Sequence, residues 1–337
     1  MLSIIICHRK KELLDAIKES IEHTVGAPYE LIIVDNTNNE YNILSAYNEG
    51  VRRAKFDILC FTHEDVLFYS NNWGSNVLAH FEDDATGMIG VAGGMVQSMV
   101  PSAWWYNNYF SRSARNLLMR KKSSDSFRLY HHYSNPFSQK PRTEVAIIDG
   151  LWFCIRASLF EKIRFDEITF TGFHLYDADI SMQVGLHAKR YVIFDLILEH
   201  IWSGKISADY YTELQKFTKK WQQQLPEVTN NTGMDYVNIY NWHALRNVIL
   251  EMRMNKIPAT ITSQLYKTYY PQVKKQHPSK WFDAYFRLSG IIGYENANRI
   301  FYRLEKLFGI SDTSKNLILD YEQPTLSADK NSINIPA

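Results

Sequence analysis

Two short runs of apolar residues near the start of the chain constrain its fold more than any other feature. Residues 3–7 and residues 30–35 are apolar along almost their whole length, and both runs are too short for a helix. Between them, four aliphatic side chains from Leu13 to Ile21 recur at helical spacing. Strands that are apolar on both faces suit a parallel sheet, whose crossover helix covers one face. The sequence therefore predicts an α/β fold that begins with a strand, a helix and a second strand.

The same alternation continues along the chain. Helical periodicity returns at residues 41–54 and 73–81, and apolar runs predict further strands at residues 57–62, 88–92, 145–156 and 191–200. From residue 93 to residue 144 the periodicity fades, which predicts a long insertion with little regular structure. The overall pattern is typical of a Rossmann-like, mostly parallel central sheet that is flanked by helices.

The character of the chain changes after residue 205. Strand signals largely stop there, and helical periodicity is found at residues 210–224, 242–254 and 281–288. The last fifteen positions are rich in serine, asparagine, proline and aspartate, a composition that predicts disorder. We therefore expect an α/β domain over residues 1–205, a helical C-terminal appendage over residues 206–322 and a disordered tail over residues 323–337.

The charge balance and the cysteines limit the classes of partner and compartment. With 37 basic and 36 acidic residues, the chain has no excess charge to attract nucleic acid. Cys7, Cys60 and Cys154 lie in or beside apolar runs, which is typical of reduced thiols and predicts a cytoplasmic protein. The basic and aromatic residues 274–282 either rest on the inner face of an anionic membrane or form a solvated helix edge.

Polar residues follow the predicted strands, where a doubly wound sheet binds its ligands. The first three strands are followed by His8-Arg9, by Asp35-Asn36 and by Glu64-Asp65, and later strands lead into Asp149-Gly150 and Glu199-His200. Asp35 could accept hydrogen bonds from a base or ribose, or it could simply form a turn. The first turn has neither a Gly-x-Gly-x-x-Gly motif nor a phosphate loop, which argues against a dinucleotide enzyme and a nucleoside triphosphatase.

The order of these segments resembles the nucleotide-binding half of family 2 type glycosyltransferases, which have the GT-A fold. Residues 47–54 resemble the family's Asn-x-Gly-x-x-x-Ala segment, and residues 57–66 resemble the strand that delivers its Asp-x-Asp metal motif. Residues 173–181, followed by Glu199 and His200, are similar to the subgroup typified by a streptomycin-biosynthesis transferase domain. The resemblance covers about residues 2 to 205.

The resemblance implies an inverting glycosyltransferase. Its donor would be a nucleotide diphosphate sugar, above all a UDP-sugar, and its acceptor a glycan, a lipid-linked molecule or a small molecule. Cell-surface polysaccharide biosynthesis is the implied setting. The implied donor-binding residues are His8, Arg9, Asp35, Asn36, Asn48, Glu64, Asp65, Asp149, Gly150 and Trp152.

The resemblance also implies a bound Mn²⁺ or Mg²⁺. Where the family has Asp-x-Asp this chain has His63-Glu64-Asp65, so only Asp65 carries over directly. Either Glu64 or His63 supplies a second contact, or Asp65 acts with a distant ligand, for which His200 is the candidate. A divalent cation would neutralise the charge that builds up on the diphosphate leaving group.

Asp177 is the implied general base. The family has Glu-Asp-x-Asp where this chain has Tyr176-Asp177-Ala178-Asp179, which places Tyr176 at the position of the glutamate and leaves Asp179 as a supporting residue. A base of this kind must lie within hydrogen-bond reach of the acceptor hydroxyl. The alternative is that Asp177 and Asp179 only stabilise the N-terminus of the following helix.

Two other functions remain open from the sequence. The incomplete metal motif would also fit a GT-A-like glycan-binding or scaffold protein that has lost catalysis. A sugar nucleotidyltransferase shares the sheet but needs a glycine-rich and lysine-rich loop after the first strand, and the turn from Cys7 to Lys11 has the cations without the glycines.

Overall fold

The computed structural model describes residues 1–122, 127–137, 140–201, 206–229 and 234–273, with single helical residues at positions 284, 288, 292, 296, 300 and 303. Two sequence predictions, the disordered tail at 323–337 and the role of residues 274–282 at a membrane, lie outside the described residues. Of the helix expected at 281–288, positions 284 and 288 are described, and both are helical.

The strands of the described residues fall into three sheets. In chain order they are β1 (Leu2–His8), β2 (Tyr29–Asp35), β3 (Ile58–Thr62), β4 (Val66–Phe68), β5 (Thr86–Gly90), β6 (Ala92–Gly94), β7 (Val96–Gln97), β8 (Ser113–Lys122), β9 (Phe127–Ser134), β10 (Arg142–Glu144), β11 (Ile147–Ile148), β12 (Trp152–Arg156), β13 (Lys189–Ile193), β14 (Leu198–His200) and β15 (Glu227–Val228).

The helices surround these sheets. They are α1 (Lys11–Thr24), α2 (Ile43–Arg53), α3 (Trp73–His80), α4 (Tyr176–Gly185), α5 (Ala208–Lys220), α6 (Met234–Met254) and α7 (Ala259–Val273), with 3₁₀ turns at Trp104–Phe110 and Ala157–Glu161. Among the described helices, none combines the length and the apolar character that a membrane crossing requires. Helices α6 and α7 confirm that the part of the chain after residue 205 is largely helical as far as residue 273.

The central sheet has seven strands in the order β10-β13-β5-β12-β3-β1-β2. Strands β12 and β10 run antiparallel to their neighbours, and the other five are parallel, as the apolar runs predict. Side chains alternate between the two faces of these strands. One face packs against α2, α4, α5 and α6, and the other packs against α1 and α3.

The region from 93 to 144 differs from its prediction. Strands β8 and β9 pair antiparallel there, and β8 joins a second sheet of order β11-β6-β8-β14-β4. The expectation of little regular structure was therefore wrong. Polar side chains such as Arg115, Asn116 and His132 interrupt the apolar alternation by which such strands are recognised.

The strand expected at residues 191–200 is two strands in different sheets. Strand β13 belongs to the central sheet, and β14 lies between β8 and β4 in the second sheet. This change of sheet brings His200 opposite Val66, because β14 pairs antiparallel with β4. The last residue of β14 therefore lies beside the loop that follows β3.

Candidate active site

His63, Asp65 and His200 form a cluster at the carboxyl end of β3. Asp65 Oδ1 lies 3.4 Å from His200 Nε2 and 3.9 Å from His63 Nδ1. One ligand atom from each residue lies within 4.8 Å of the other two. The backbone N–H of Ile201 donates to the Asp65 carbonyl over 3.0 Å, which fixes the end of β14 against this loop.

The protonation of the cluster suits a cation. Burial raises the pKa of Asp65, but His200 and His63 outweigh this effect and hold that pKa below its ordinary value. Burial, helped by His200, lowers the pKa of His63 to about 4. At neutral pH the cluster therefore offers a carboxylate and the neutral imidazole of His63, which are the forms that coordinate a metal.

The spacing and the donor set fit a divalent cation. Octahedral ligands at about 2.1 Å from an ion lie roughly 3 Å apart when adjacent and 4 Å apart when opposite, so the observed separations need only small adjustments. Imidazole nitrogens favour transition metals, and Mg²⁺ prefers oxygen ligands. A set of two imidazoles and one carboxylate therefore suits a transition-metal ion better than Mg²⁺.

Glu64 faces away from this cluster although it precedes Asp65 in sequence. Its Oε2 accepts hydrogen bonds from the backbone N–H groups of Arg9 at 2.9 Å and Lys10 at 3.0 Å, and it lies 3.2 Å from His8 Nδ1. The glutamate thus stabilises the turn between β1 and α1. Of the two neighbours of Asp65 that the sequence left open as a second ligand, the structure brings His63 to the cluster and not Glu64.

Asp177 lies in the first turn of α4, next to the turn that precedes β12. Its Oδ2 accepts a hydrogen bond from the backbone N–H of Gly150 over 3.0 Å. Burial, reinforced by the negative charge of Asp149, raises the pKa of Asp177 to about 7. A carboxyl group with this pKa can exchange a proton near neutral pH, as a general base must.

Strand β12 runs antiparallel to β3 and so brings Asp149 and Gly150 to the same edge of the sheet as Asp65. Trp152 pairs with Thr62, the last residue of β3. A side chain at Gly150 would overlap the hydroxyl of Tyr176 and crowd Asp177, so this close approach requires glycine. Asp149 accepts hydrogen bonds from Trp104 Nε1 over 2.8 Å and from the backbone N–H of Leu151 over 3.0 Å.

Tyr176 joins the two halves of the site. Its hydroxyl lies 2.5 Å from His63 Nε2 and donates to the Gly150 carbonyl over 3.0 Å. Leu175, just before it, has a φ of 62°, a left-handed conformation that is strained for leucine and that directs the start of α4. Sequence reasoning assigned Tyr176 no role of its own, and the one signal for it was a tyrosine at a position where the family has a glutamate.

Asp179 has a structural environment. It is 1% exposed and accepts hydrogen bonds from Trp221 Nε1 at 2.8 Å and Gln183 Nε2 at 2.7 Å, and Lys220 Nζ lies at 2.7 Å. These contacts fasten α4 to the end of α5. Asp177 and Asp179 therefore face different surroundings, as expected for residues two apart on a helix.

The amides of Asn36 and Asn48 are used within the fold. Asn36 exchanges two hydrogen bonds with the backbone of Tyr41, and Asn48 does the same with Phe165. Asp35, at the end of β2, is exposed and accepts hydrogen bonds from Thr37. Of these three residues, Asp35 is the one whose side chain is open to a ligand.

Trp152 is expected among the donor-binding residues, but the structure buries its side chain in the core. It is 0% exposed and its ring meets that of Trp73 edge to face, with the centroids 6.2 Å apart. Because side chains alternate along β12, Trp152 points to the face covered by α1 and α3, while Phe153 points toward α4. The side chain of Trp152 therefore cannot stack on a sugar.

A cavity of about 380 Å³ opens beside the start of α4. It is lined by Thr171, Gly172, Phe173, His174, Asp209, Thr212 and Glu213. The ring of Phe173 lies 5.7 Å from the ring of His63, so the cavity adjoins the cluster of His63, Asp65 and His200. Glu213 Oε1 is 2.8 Å from Lys216 Nζ, and Oε2 has no hydrogen-bond partner among the described residues.

Comparisons with known proteins bear on the family and the fold of the chain. The family described as "Glycosyltransferase like family" matches residues 3–223. The streptomycin biosynthesis protein StrF of Streptomyces griseus is 28% identical over 162 residues, which are 47% of this chain and 52% of that protein. The chain thus spans about half the length of this curated relative.

Two solved structures of TarS 1-349 from S. aureus share the fold. The structure in complex with UDP-GlcNAc has a TM-score of 0.53 and 13% identity, and the other TarS structure has a TM-score of 0.51 and 12% identity. Each match covers 90% of this chain and 91% of the TarS fragment. The likeness shows that the chain has the GT-A fold that its sequence predicts.

Proposed function

Since the chain belongs to the glycosyltransferase-like family, we propose that it transfers a sugar from a nucleotide diphosphate sugar to a hydroxyl group of an acceptor, with inversion at the anomeric carbon. One observation carries this proposal. The cluster of His63, Asp65 and His200 and the carboxyl group of Asp177 meet at one edge of the sheet, on either side of Tyr176.

The donor is proposed to be a UDP-sugar. Support comes from the shared fold with TarS, which has been crystallised with UDP-GlcNAc. The nucleotide would lie along the ends of β1 and β2, where the side chains of Arg9 and Asp35 are exposed. Asp35 could accept hydrogen bonds from the base or ribose, a role that acidic residues at strand ends have in related sheets.

The cluster would hold Mn²⁺ beside the diphosphate. When bound, the ion would neutralise the charge that develops on the departing diphosphate. Asp65 would supply the anionic ligand, and His63 and His200 would supply neutral nitrogens. This assignment is supported by the spacing of the three side chains and by the low pKa of Asp65.

Asp177 is proposed to accept the proton of the acceptor hydroxyl. The oxygen of that hydroxyl forms a bond to the anomeric carbon, and the bond between that carbon and the diphosphate breaks on the opposite side. The N–H of Gly150 orients the Asp177 carboxylate, and Asp149 keeps its affinity for protons high. Attack opposite to the leaving group gives inversion.

The acceptor is proposed to occupy the cavity between residues 171–174 and α5. Asp209 and Glu213 lie one turn apart on α5 and present carboxylates to this space, and Phe173 offers an apolar ring. Such a lining suits a molecule rich in hydroxyl or amino groups, which would donate hydrogen bonds to the carboxylates. A glycan, the sugar part of a lipid-linked molecule and a small polyhydroxylated metabolite all meet this description.

The setting of the reaction is proposed to be the cytoplasm, in cell-surface polysaccharide biosynthesis. The support is the placement of Cys7, Cys60 and Cys154 in or beside apolar strands, which suits reduced thiols.

The decisive experiment measures UDP-sugar hydrolysis and transfer with Mn²⁺ and with a chelator, in the wild type and in Asp65→Ala. We expect both the chelator and the substitution to abolish transfer. The matched control is Asp195→Ala, because Asp195 also pairs with a histidine, His80 at 3.1 Å, but is not a member of the cluster. Equal activity of Asp65→Ala and the wild type, with or without chelator, would remove the metal from the proposal.

A GT-A protein without catalysis is the alternative function. The incomplete metal motif of the sequence favours this alternative. The closeness of His63, Asp65 and His200 argues against it, because the three residues together form a possible ligand set. Calorimetry separates the two functions. An inactive glycan-binding protein would bind a glycan and would show no dependence of UDP affinity on Mn²⁺.

A further inference from the structure

The contact between His63 and Tyr176 joins two segments that are far apart in sequence. His63 follows β3 and Tyr176 begins α4, and their side chains meet over 2.5 Å. Both positions depart from the family's pattern, which has an aspartate at the first and a glutamate at the second. The two residues that depart from the pattern therefore contact each other. The hydrogen-bond donors and acceptors around this contact determine which nitrogen of His63 carries the ring hydrogen.

The hydroxyl of Tyr176 has one hydrogen to share between two neighbours. One neighbour is the carbonyl oxygen of Gly150, 3.0 Å away, which can only accept a hydrogen bond. The other is His63 Nε2, which can donate or accept according to the tautomer. When the hydroxyl donates to Gly150, it must accept from His63, so Nε2 carries the ring hydrogen.

The opposite arrangement leaves a buried group without a partner. If Tyr176 donated to His63 Nε2, the Gly150 carbonyl would lose this donor in a position where both Gly150 and Tyr176 are buried. A buried carbonyl without a hydrogen-bond donor is destabilising, because its lost contact with water is not replaced. The chain of hydrogen bonds from His63 through Tyr176 to Gly150 therefore favours one tautomer of His63.

This tautomer leaves Nδ1 with a lone pair on the side of the cluster. Nδ1 lies 3.9 Å from Asp65 Oδ1, too far for a hydrogen bond, and it makes none with any other described residue. We propose that Tyr176 is a positioning residue that fixes His63 in the Nε2–H tautomer and so presents Nδ1 to the divalent cation. This inference rests on the proposed function. In many metal sites, a hydrogen bond to the second ring nitrogen orients the ligating histidine in this way.

The test compares two substitutions that each remove one buried hydroxyl. Tyr176→Phe removes the link to His63 and keeps the ring. Tyr47→Phe is the matched control, because its ring packs 5.7 Å from that of Tyr176 and its hydroxyl has no hydrogen-bond partner among the described residues. With Mn²⁺ titrated into the protein in excess UDP, we expect Tyr176→Phe to weaken Mn²⁺ binding roughly 10- to 100-fold and Tyr47→Phe to leave it unchanged.

A double-mutant cycle distinguishes a positioning role from a merely structural one. In a His63→Ala background, Tyr176→Phe should have no further effect on Mn²⁺ affinity, because the residue through which it acts is gone. An equal loss in both backgrounds would overturn the inference. If the wild type binds no Mn²⁺, the metal part of the proposed function fails as well, whereas tight binding in all the tyrosine variants contradicts only the role of Tyr176.

A measurement on the wild-type protein tests the tautomer of His63 without any substitution of Tyr176. In the metal-free protein with ¹⁵N-labelled histidine, the His63 signals should show a protonated Nε2 and an unprotonated Nδ1. The His63→Ala variant would identify those signals by their loss. A protonated Nδ1 in the wild type would overturn the inference.

Discussion

Two carboxyl groups of the site, Asp65 after β3 and Asp177 at the start of α4, have pKa values that are shifted in opposite directions. His200 and His63 hold the pKa of Asp65 down despite its burial. Burial and the charge of Asp149 raise the pKa of Asp177 to about 7. The same type of side chain is thus an anion at Asp65 and a proton acceptor of near-neutral pKa at Asp177.

The difference shows that neighbours, and not burial alone, assign the roles. Both carboxyl groups are partly buried, but Asp65 faces two imidazoles and Asp177 faces a second carboxylate. Pairs of titratable groups whose pKa values are pushed apart are a usual sign of divided labour in an active site. The following experiments test this division, beginning with the largest expected effect.

Removing the proton acceptor should have the largest effect. Asp177→Asn is expected to lower the transfer rate by about 10²- to 10⁴-fold, the usual contribution of a general base, and to keep the affinity for Mn²⁺ and UDP. Steady-state transfer assays and calorimetry would measure the two quantities. The control is Asp179→Asn on the same helix, which should mainly lower the melting temperature because Asp179 fastens α5. A fully active Asp177→Asn variant would refute the assignment.

The raised pKa of Asp177 also predicts a dependence of stability on pH. Because the pKa of Asp177 is about 7 in the folded protein and that of an ordinary aspartate is 3.8, the ionised form destabilises the fold, and this cost grows from about pH 4 to pH 7. Asp177→Asn removes the cost. The variant should therefore be more stable than the wild type above pH 7, by an amount on the order of a few kcal/mol, and equally stable near pH 4. Denaturant unfolding at several pH values would show whether the gap closes on acidification.

Glu64 is a useful comparison with Asp65, because the two carboxylates are adjacent in sequence but Glu64 binds the turn after β1. Glu64→Gln should reduce the free energy of unfolding by about 1–3 kcal/mol, since it weakens charge-assisted bonds to the backbone of Arg9 and Lys10. Urea denaturation would measure this loss. Mn²⁺ affinity should change by less than about tenfold, because Glu64 would act on the cation only as a nearby charge through a high effective dielectric and not as a ligand. A large loss of Mn²⁺ affinity would mean that Glu64 is a ligand after all.

The smallest effect is expected at Asp149. Asp149→Asn removes a negative charge that raises the pKa of Asp177, so the acidic limb of the pH–rate profile should shift to lower pH. The rate at the optimum should change by less than about tenfold, because the base itself remains. Trp104→Phe is the control, since it removes a hydrogen bond to Asp149 and keeps the charge. An unmoved acidic limb in Asp149→Asn would show that the carboxylate does not influence the base.

The sequence predicted the parts of the fold that have strong local periodicity. Strands β1, β2 and β3 and helices α1, α2 and α3 lie close to their expected positions, because buried strands and amphipathic helices have distinct repeats. The hairpin of β8 and β9 and the change of sheet between β13 and β14 were missed. Polar residues interrupt the apolar pattern of the hairpin. The change of sheet has no signal in the nearby sequence, because the choice of partner strand depends on distant segments.

The site was predicted in part. The order of segments pointed to Asp65, His200, Asp149, Gly150 and Asp177, and the structure brings these residues to one edge of the sheet. Their catalytic and ligand roles stay predictions. The contact between His63 and Tyr176 spans 113 positions and has no local signal. The side chain of Trp152 was expected to contact the donor, but it faces the side of the sheet that α1 and α3 cover. Which side a strand residue faces depends on the register of the strand, which the sequence did not reveal.

The backbone of Gly150 has a consequence for attempts to redesign this protein. Its N–H holds Asp177 and its carbonyl holds Tyr176, which in turn contacts His63. A mutation that displaces this one residue is expected to disturb the proposed proton transfer and the proposed cation binding together, because the residues assigned to both contact this turn. Engineering for a new acceptor is better directed at Asp209 and Thr212, which line the cavity from α5 and lie outside this shared anchor.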